Sequence, residues 1–312
     1  MKKIYFYVNL CLLFFAAFAN ADLVDHLKKA SGKTGVHKMR NIDFIYMINL
    51  DERPEKFAMA TKDLQQYGVT PYRFSAVNGW KLSTQAINDI GLKYQPGMTQ
   101  LMATTYLEEA EGLPSHEYMS KVGRTYFCHC TPKGAIGCCL SHISILQDAY
   151  DSGYETIWVM EDDIEVVRNP HILSDLIDRL DALVGKGKWD VLFTDPDYRG
   201  PDGKPQPAYG AAKRPDLDCS PKERASEKYC VQKDISQDFK KMGARFGTCS
   251  MIIRRSGIIK LLEYAKKHKV YLPYDLDNYL APGLNRYAVR YEIVTNMLHS
   301  LSDIGSAFYE KK

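Results

Sequence analysis

The sequence predicts an α/β domain built on a mostly parallel, doubly wound sheet. Short apolar runs rich in β-branched and aromatic residues, typical of strands buried on both faces, recur along the chain. Segments with helical spacing of apolar residues follow several of these runs, and such alternation favours a sheet with helices on both faces. The 312 residues, 45% hydrophobic and 25% charged, suffice for one large domain or two small ones.

The first strand and helix are predicted between residues 44 and 68. Residues 44–48 are a continuous apolar run that ends in the polar residues 49–51. Pro54 suits the first turn of a helix, where its missing N–H costs nothing, and Gly68 suits the position after the last turn. A second strand is expected over residues 72–77.

The later elements continue the alternation. Helices are predicted over residues 136–153, 174–183 and 256–268, and strands over residues 156–160, 189–193 and 247–253. Residues 80–133 are harder to interpret, and a helix is expected around residues 99–111. Residues 195–240 carry six prolines, many charges and little periodicity. We therefore predict an irregular insertion there, because long segments of this kind are usually functional lids or disordered.

The first 21 residues are predicted to be a secretory signal peptide that is cleaved after Ala21. Two lysines precede an apolar stretch over residues 4–18, which is short for a bilayer span and is followed by small residues. An uncleaved anchor is the alternative. A polar segment over residues 22–42 follows, and residues 43–312 are predicted to form a single domain.

The charge pattern narrows the expected partners and location. Removing the signal peptide takes Lys plus Arg from 41 to 39 against 38 Asp plus Glu, so the mature chain would be nearly neutral. No basic run interleaves with aromatic residues, so a nucleic-acid partner is not expected. No stable membrane span is expected either. The predicted location is the secretory pathway, meaning export or the periplasm in a bacterial host and the ER lumen in a eukaryotic one.

Cysteine usage is compatible with an oxidising compartment. Seven of the eight cysteines remain once Cys11 leaves with the signal peptide, and an odd number leaves at least one thiol unpaired. Cys219 and Cys230 flank a polar segment and are the best candidate pair, worth roughly 3 kcal/mol as a disulfide. A zinc cluster of residues 128–130 with residues 138–139 is disfavoured, because their spacing departs from the usual ligand pattern.

Three consecutive carboxylates, Glu161-Asp162-Asp163, follow the apolar run over residues 156–160. Ligands of open α/β sheets bind where such strands end. Residues i and i+2 of an extended chain point the same way, so Glu161 and Asp163 can aim at one point. At about 5–7 Å they would repel by roughly 2–3 kcal/mol at an effective dielectric of about 20. In a cleft, Mn²⁺ or Mg²⁺ would offset the repulsion, whereas on an exposed turn water would do so.

Several short blocks occur in a fixed order between residues 43 and 304. They are residues 48–54 (INLDERP), 74–79 (FSAVNG), 134–142 (GAIGCCLSH), 161–163 (EDD), 247–254 (GTCSMIIR), 273–277 (PYDLD) and 302–304 (SDI). Together they resemble the blocks of glycosyltransferase family 25, which includes bacterial lipopolysaccharide sugar transferases and animal procollagen galactosyltransferases. Ala135 departs from the family pattern, which has an acid there, and Lys56 stands where a second arginine is common.

The resemblance implies a nucleotide-diphospho-sugar transferase (GT-A) fold and a metal-dependent hexosyltransferase that inverts configuration. The implied donor is a nucleotide-diphospho-sugar, with a UDP-hexose such as UDP-galactose expected. The implied acceptor is a glycan or a hydroxylated protein. Glu161 and Asp163 fall where the family carries its metal-binding acids, and a cation there would neutralise charge that builds up on the departing diphosphate.

The other candidate donor-binding residues follow predicted strands or belong to the same blocks. They are Asn49, Leu50, Arg53, Asn78, Ser141, His142 and Asp162. By resemblance, Asn49 and Leu50 would hold the nucleoside and Arg53 would lie near the phosphates. A surface ion pair of Arg53 with Glu52 or Glu55 is the alternative.

Ser141-His142 invites a hydrolase interpretation, which the sequence does not favour. Adjacent residues of a helix point about 100° apart, and no Gly-x-Ser-x-Gly elbow surrounds the serine. We expect Ser141 to cap a helix, and His142 to contact the donor or to be a packed structural residue.

Transfer with inversion needs a general base opposite the leaving group. Asp275 and Asp277 lie on a short Pro-led loop and would share a face if the loop is extended, so both are catalytic candidates, with Asp277 slightly preferred. An acidic helix start is the alternative for this pair.

Two other functions remain open. Export and the missing acid at Ala135 are compatible with a secreted, non-catalytic carbohydrate-binding or interaction protein on a decayed transferase scaffold. A metal-dependent hydrolase, in contrast, would break down the donor without an acceptor.

Overall fold

The computed structural model describes residues 21–305 apart from residues 111 and 219. Residues 1–20 of the predicted signal peptide, which include Cys11, and Cys219 of the predicted disulfide lie outside the described residues, whereas Cys230 is exposed. Within the described part of the chain, no helix is both long and apolar enough to cross a bilayer.

The strands and helices alternate along most of the chain. The strands are β1 Phe44–Asn49, β2 Tyr72–Ser75, β3 Leu92–Lys93, β4 Met102–Tyr106, β5 Pro114–Tyr118, β6 Thr125–Cys128, β7 Thr156–Met160, β8 Ile164–Val166, β9 Val191–Phe193, β10 Gln232–Asp234, β11 Phe239–Met242, β12 Ser250–Arg254, β13 Arg286–Val289 and β14 Val294–Asn296. The helices are α1 Pro54–Gln65, α2 Thr84–Ile90, α3 Lys133–Asp151, α4 Ile172–Val184, α5 Pro221–Arg224, α6 Glu227–Cys230, α7 Arg255–His268 and α8 Tyr274–Asp277.

Eight of the strands form one sheet in the order β10-β11-β13-β9-β12-β7-β1-β2. The pairs β2–β1, β1–β7 and β9–β13 are parallel, and the other four pairs are antiparallel. Following these pairings across the sheet, β12 and β11 run opposite to the other six strands. The predicted α/β class is therefore confirmed, with a sheet that is mixed rather than purely parallel.

Helices cover both faces of this sheet, as a doubly wound arrangement requires. Along β1, Tyr46 and Ile48 pack into the core that includes residues of α3 and α7. Ile45 and Met47, which point the other way, pack into the core that includes residues of α1 and α4. Every residue of β1 and β7 is buried, which explains their continuous apolar sequence.

Two predictions of local structure are wrong. Residues 102–106 form strand β4 rather than a helix, and a 3₁₀ turn over Glu108–Ala110 follows it. Hydrogen bonding to β5 and β6 outweighed the weak helical pattern of this Thr-rich segment. The insertion over residues 195–240 is not irregular throughout, because α5, α6, β10 and the start of β11 form within it. Of these elements, β10 and β11 complete one edge of the sheet.

A close approach of two backbones places α3 against the turn that follows β2. A Cβ on Gly79 would lie 1.7 Å from the Lys133 carbonyl oxygen, and a Cβ on Gly137 would lie 2.4 Å from the Gly79 nitrogen. Only glycine fits at these two positions. The contact brings the start of α3 to the edge of the sheet where β1 and β7 end.

Candidate active site

Two adjoining cavities open where β1 and β7 end. The first cavity measures about 90 Å³ and the second about 380 Å³. The residues that line both are Cys138, Glu161, Asp163, Ser302 and Ile304. The predicted metal-binding acids therefore lie at the junction of the two cavities.

Glu161 is held by polar partners from two neighbouring elements. His142 Nε2 lies 3.0 Å from its Oε1, and Thr248 Oγ1 donates to the same oxygen at 2.9 Å. Burial alone would raise the pKa of Glu161, but the hydrogen bond and charge of His142, together with Thr248, hold the pKa below its usual value. Glu161 is thus favoured as a carboxylate in a largely enclosed place.

Asp162 and Asp163 differ from Glu161 and from each other. Asp162 accepts a 2.6 Å hydrogen bond from Asn49 Nδ2 in the first cavity, and burial raises its pKa to about 6. Asp163 Oδ1 is buried without a hydrogen-bond partner among the described residues. Burial and the charges of Glu161 and Asp162 raise the pKa of Asp163 to about 7. An orphaned carboxylate oxygen beside a second carboxylate fits a divalent cation.

Three of the predicted donor-binding residues line the first cavity, at the ends of strands. They are Asn49, Leu50 and Asn78. Asn49 is almost fully buried, and its amide donates to the Arg53 carbonyl at 2.8 Å as well as to Asp162. Asn78 accepts from the Trp80 amide at 3.1 Å and starts a 3₁₀ turn. Asn49 therefore holds the loop after β1 in shape besides lining the cavity.

Arg53 lies in ion pairs rather than along either cavity. It donates to Glu55 at 2.6 Å and to Asp303. Lys56, which sequence reasoning did not select, lines the first cavity and donates to Asp303 at 2.8 Å and to the Leu301 carbonyl at 2.7 Å. The sequence did offer one signal for Lys56, because this residue stands where the family commonly has an arginine.

Ser141 and His142 lie inside α3. Ser141 donates to the Gly137 carbonyl at 2.8 Å and accepts from the Val77 amide at 2.8 Å, while the N-cap of the helix is Pro132. The prediction of a capping serine is therefore wrong, although Ser141 does border the first cavity. His142 is 1% exposed and stacks on Tyr274 at 4.2 Å, so it is packed and supports Glu161.

Asp275 and Asp277 lie in the first turn of the short helix α8, as the alternative of an acidic helix start predicted, and not on an extended loop, so they do not share a face. Asp275 lines the second cavity and accepts from the Gly247 amide at 3.0 Å. Asp277 lines neither of the two cavities and accepts from Arg214 at 2.5 Å and from Tyr264 at 2.8 Å. Burial raises the pKa of both carboxyl groups.

The second cavity also carries aromatic side chains that the sequence did not single out. Tyr198, Phe246 and Tyr274 line it, and Ala135 does so where the family pattern has an acid. Tyr198 and Phe246 come from or follow the region of little periodicity, so no sequence pattern indicated them. Aromatic faces of this kind are suited to packing against sugar rings.

One group of three potential metal ligands is close enough, among the described residues, to share an ion. It comprises Cys138, His142 and Glu161, whose donor atoms lie within 4.8 Å of one another. Sequence reasoning had paired Glu161 with Asp163 and had considered Cys138 only within a disfavoured zinc cluster.

Comparison with known proteins bears on these blocks. A family model described as "Glycosyltransferase family 25 (LPS biosynthesis protein)" matches residues 42–278. A glycosyltransferase 25 family member of Aedes aegypti is 29% identical over 172 residues, 55% of this chain and 24% of that protein. One of Drosophila melanogaster is 25% identical over 172 residues, 55% of this chain and 23% of that protein.

A human protein named inactive glycosyltransferase 25 family member 3 is 26% identical over 153 residues, 48% of this chain and 21% of the human protein. The matched stretches thus cover about a quarter or less of these relatives. The family model, in contrast, spans most of this chain and nearly all of the blocks first recognised in its sequence, so the chain belongs to glycosyltransferase family 25.

Proposed function

We propose that this chain transfers a hexose from a nucleotide-diphospho-sugar, with a UDP-hexose as donor, to a hydroxyl group of a glycan or a hydroxylated protein. The arrangement of the cleft carries the proposal. Glu161 and Asp163 lie at the junction of two cavities, one with polar strand ends and one with aromatic side chains. A donor whose nucleoside reaches the first cavity and whose diphosphate and sugar extend past the acids into the second would place the reacting atoms beside the acids, with the acceptor in the second cavity. The expected location is the secretory pathway.

Asp275 is the proposed general base. It lines the second cavity, whereas Asp277 is bound by Arg214 and Tyr264 away from it. In transfer with inversion, the acceptor hydroxyl gives its proton to the Asp275 carboxylate as its oxygen bonds to the anomeric carbon, and the nucleotide diphosphate leaves from the opposite face. The buried position raises the pKa of Asp275 and so makes its ionised form a better proton acceptor.

Glu161 and Asp163 are the residues that would hold a divalent cation, Mn²⁺ or Mg²⁺. Such a cation supplies a positive charge that stabilises the departing diphosphate. The orphaned Asp163 Oδ1 and the fixed orientation of Glu161 support this assignment. Lys56, buried beside the first cavity, adds a second positive charge in reach of the same region.

The experiment is a transfer assay with the purified protein. Labelled UDP-hexoses, Mn²⁺ and glycan or hydroxylated peptide acceptors are incubated with the wild type and with Asp163→Ala. We expect transfer by the wild type and loss of donor turnover in the variant at an unchanged melting temperature. Glu155→Ala, which removes an exposed acid at the opposite end of β7, is the matched control and should keep full activity. Full activity of Asp163→Ala would end the metal assignment.

A second function is favoured by one observation, the alanine at position 135 in the wall of the second cavity. A non-catalytic carbohydrate-binding protein on a decayed scaffold would bind glycans in that cavity but would not turn over a donor. Calorimetric titration with the UDP-hexose panel and with glycans separates the two. Donor binding followed by turnover supports the transferase, and glycan binding without any donor binding supports the alternative.

A further inference from the structure

We propose that Cys138, His142 and Glu161 form a three-ligand site for a thiophilic divalent cation of the Zn²⁺ type. The inference rests on the proposed function, because it names the ligand set and the class of ion for the same cleft. It keeps Glu161 as a ligand but pairs it with Cys138 and His142 rather than with Asp163, and so names a different class of ion from the Mn²⁺ or Mg²⁺ of the proposed function. Its test is therefore chosen to read the ligand atoms directly.

The fold brings the three donor atoms together from two elements. Cys138 and His142 are four residues apart in α3 and so project from the same face of the helix. Glu161 directly follows β7 and meets this face from the sheet. The Cys138 thiol, a His142 ring nitrogen and a Glu161 oxygen all lie within 4.8 Å of one another, which is compatible with bonds to one ion.

Neighbouring side chains fix two of the three ligands. The His142 ring lies stacked at 11° on the Tyr274 ring, and Thr248 Oγ1 donates to Glu161. Supporting contacts of this kind orient metal ligands in proteins. Holding the ligands in place before the ion arrives lowers the cost of binding.

The site also has room for substrate and for a further oxygen ligand. Three protein ligands with an open position are characteristic of catalytic rather than structural zinc sites. Cys138 and Glu161 line the second cavity of about 380 Å³, so the open position would face it. Asp163, whose buried Oδ1 has no hydrogen-bond partner among the described residues, borders the same cavity and is an independent sign that a ligand belongs there.

The thiol determines which ions the site prefers. Thiolate and imidazole select zinc-like ions, whereas Mg²⁺ prefers oxygen ligands only. On binding, the hydrogen bond between His142 Nε2 and Glu161 is replaced by bonds of both residues to the ion, which requires Nε2 to give up its proton to Nδ1 or to solvent. The Cys138 thiol also releases its proton to solvent and the sulfur bonds to the ion as a thiolate, with no change of oxidation state. Proton release and a metal–sulfur bond thus distinguish this site from one formed by carboxylates alone.

The experiment is a titration with Co²⁺, a spectroscopic substitute for Zn²⁺, without donor or acceptor. Cys128 and Cys130, whose sulfur atoms lie 3.0 Å apart, could bind cobalt by themselves, so all proteins carry Cys128→Ser and Cys130→Ser. We expect a thiolate-to-cobalt charge-transfer band that Zn²⁺ abolishes. Cys138→Ser should lose this band. Cys139→Ser should keep it, because the neighbouring thiol is buried and directed at the Leu272 carbonyl.

His142→Gln provides a second measurement in case Cys138→Ser fails to fold. The charge-transfer band should persist at saturating cobalt, but the affinity for cobalt should fall by more than about 10-fold. Loss of a residue that only supports a metal ligand already costs about 10-fold, so loss of a ligand itself should cost more. Cobalt spectra without a charge-transfer band, a band unaffected by Cys138→Ser, or no cobalt binding would each overturn the inference. The cobalt titration contains neither donor nor acceptor, so its outcome is independent of the transfer assay with Mn²⁺. Failure of the proposed function would appear in the transfer assay alone.

Discussion

The short helix α8 contributes one carboxylate to each of two groups of partly or fully buried acids, and the surroundings of the two groups differ. The cleft acids are Glu161, Asp163 and Asp275. The paired cluster is Asp216 and Asp277 with Arg214, Tyr264 and His268. Asp275 belongs to the first group and Asp277 to the second, although only one residue separates them.

In the paired cluster each carboxylate meets a cation or a hydroxyl donor. The fully buried Arg214 side chain donates to Asp216 at 3.0 Å and to Asp277 at 2.5 Å, and His268 lies 2.7 Å from Asp216. Among the cleft acids, Glu161 meets His142 and Thr248, but neither Asp275 nor Asp163 forms a salt bridge, and Asp163 Oδ1 has no donor among the described residues. The comparison indicates that the paired cluster stabilises the fold, whereas the cleft acids are kept for a ligand.

Removal of the shared cation should produce the largest effect. Arg214→Met would leave the buried Asp277 with the Tyr264 hydroxyl and Asp216 with His268, both without the guanidinium they share, and we expect the free energy of unfolding to fall by about 3–5 kcal/mol in urea denaturation. Arg179→Met, which breaks an exposed pair with Asp238 at 3.2 Å, is the control and should cost less than about 1 kcal/mol. Equal losses in the two variants would contradict a special role for the paired cluster.

The two acids of α8 should separate activity from stability. Asp275→Asn keeps the volume of the side chain but removes the proposed base, so transfer should fall by about 10²–10⁴-fold at an unchanged melting temperature. Asp277→Asn should lower the melting temperature, because Arg214 loses one of its two carboxylate partners. The comparison fails if Asp277→Asn is the variant that loses activity while remaining fully stable.

This difference between neighbours shows where sequence reasoning ends. The apolar runs of β1 and β7 predicted the strands, because burial on both faces leaves a continuous pattern. The acids after β7 predicted the cleft, because strand ends meet at one edge of the sheet. The orientation of Asp275 and Asp277, however, depends on whether four residues form a helix or a loop, and so short a segment carries no periodicity.

Partners that are distant along the chain could not be predicted for a different reason. Arg214 lies in a segment without a recognisable pattern and meets Asp277 only through tertiary packing. Strand β4 was mistaken for a helix because its pairing with β5 and β6 outweighs its local preference. Cys138 and His142 stood four residues apart in a predicted helix, and this spacing was a signal that sequence reasoning did not use.

A smaller effect is expected on the free energy of unfolding at acid pH. Burial alone would raise the pKa of Asp216, but the hydrogen bond of His268 and the charge of Arg214 hold that pKa below its usual value. The ionised carboxylate therefore stabilises the fold above the unfolded-state pKa of about 3.9, and this contribution is lost as the pH falls through the lower folded-state value. Asp216→Asn should be less stable than the wild type at neutral pH, and the gap should close below about pH 4. A gap that is constant with pH would exclude this linkage.

The smallest effect is expected at Cys128, which tests whether a shifted pKa by itself marks a functional group. A hydrogen bond from Cys130 lowers the pKa of Cys128 to about 6 against the effect of burial. Iodoacetamide should therefore alkylate Cys128 with a midpoint near pH 6, and Cys130→Ala should move the midpoint upward. The Cys128 amide donates to the Tyr271 carbonyl, on the segment that leads to Asp275, yet its thiol lines neither cavity.

Cys128→Ala should accordingly keep transfer activity within about twofold, the effect of an ordinary substitution outside a site. Mass spectrometry of the alkylated peptide gives the midpoint, and the transfer assay gives the activity. A large loss of transfer in Cys128→Ala at an unchanged melting temperature would extend the functional region beyond the cleft acids. Retained activity would mean that position at the junction of the cavities, rather than a perturbed pKa, distinguishes the cleft acids from other titratable groups.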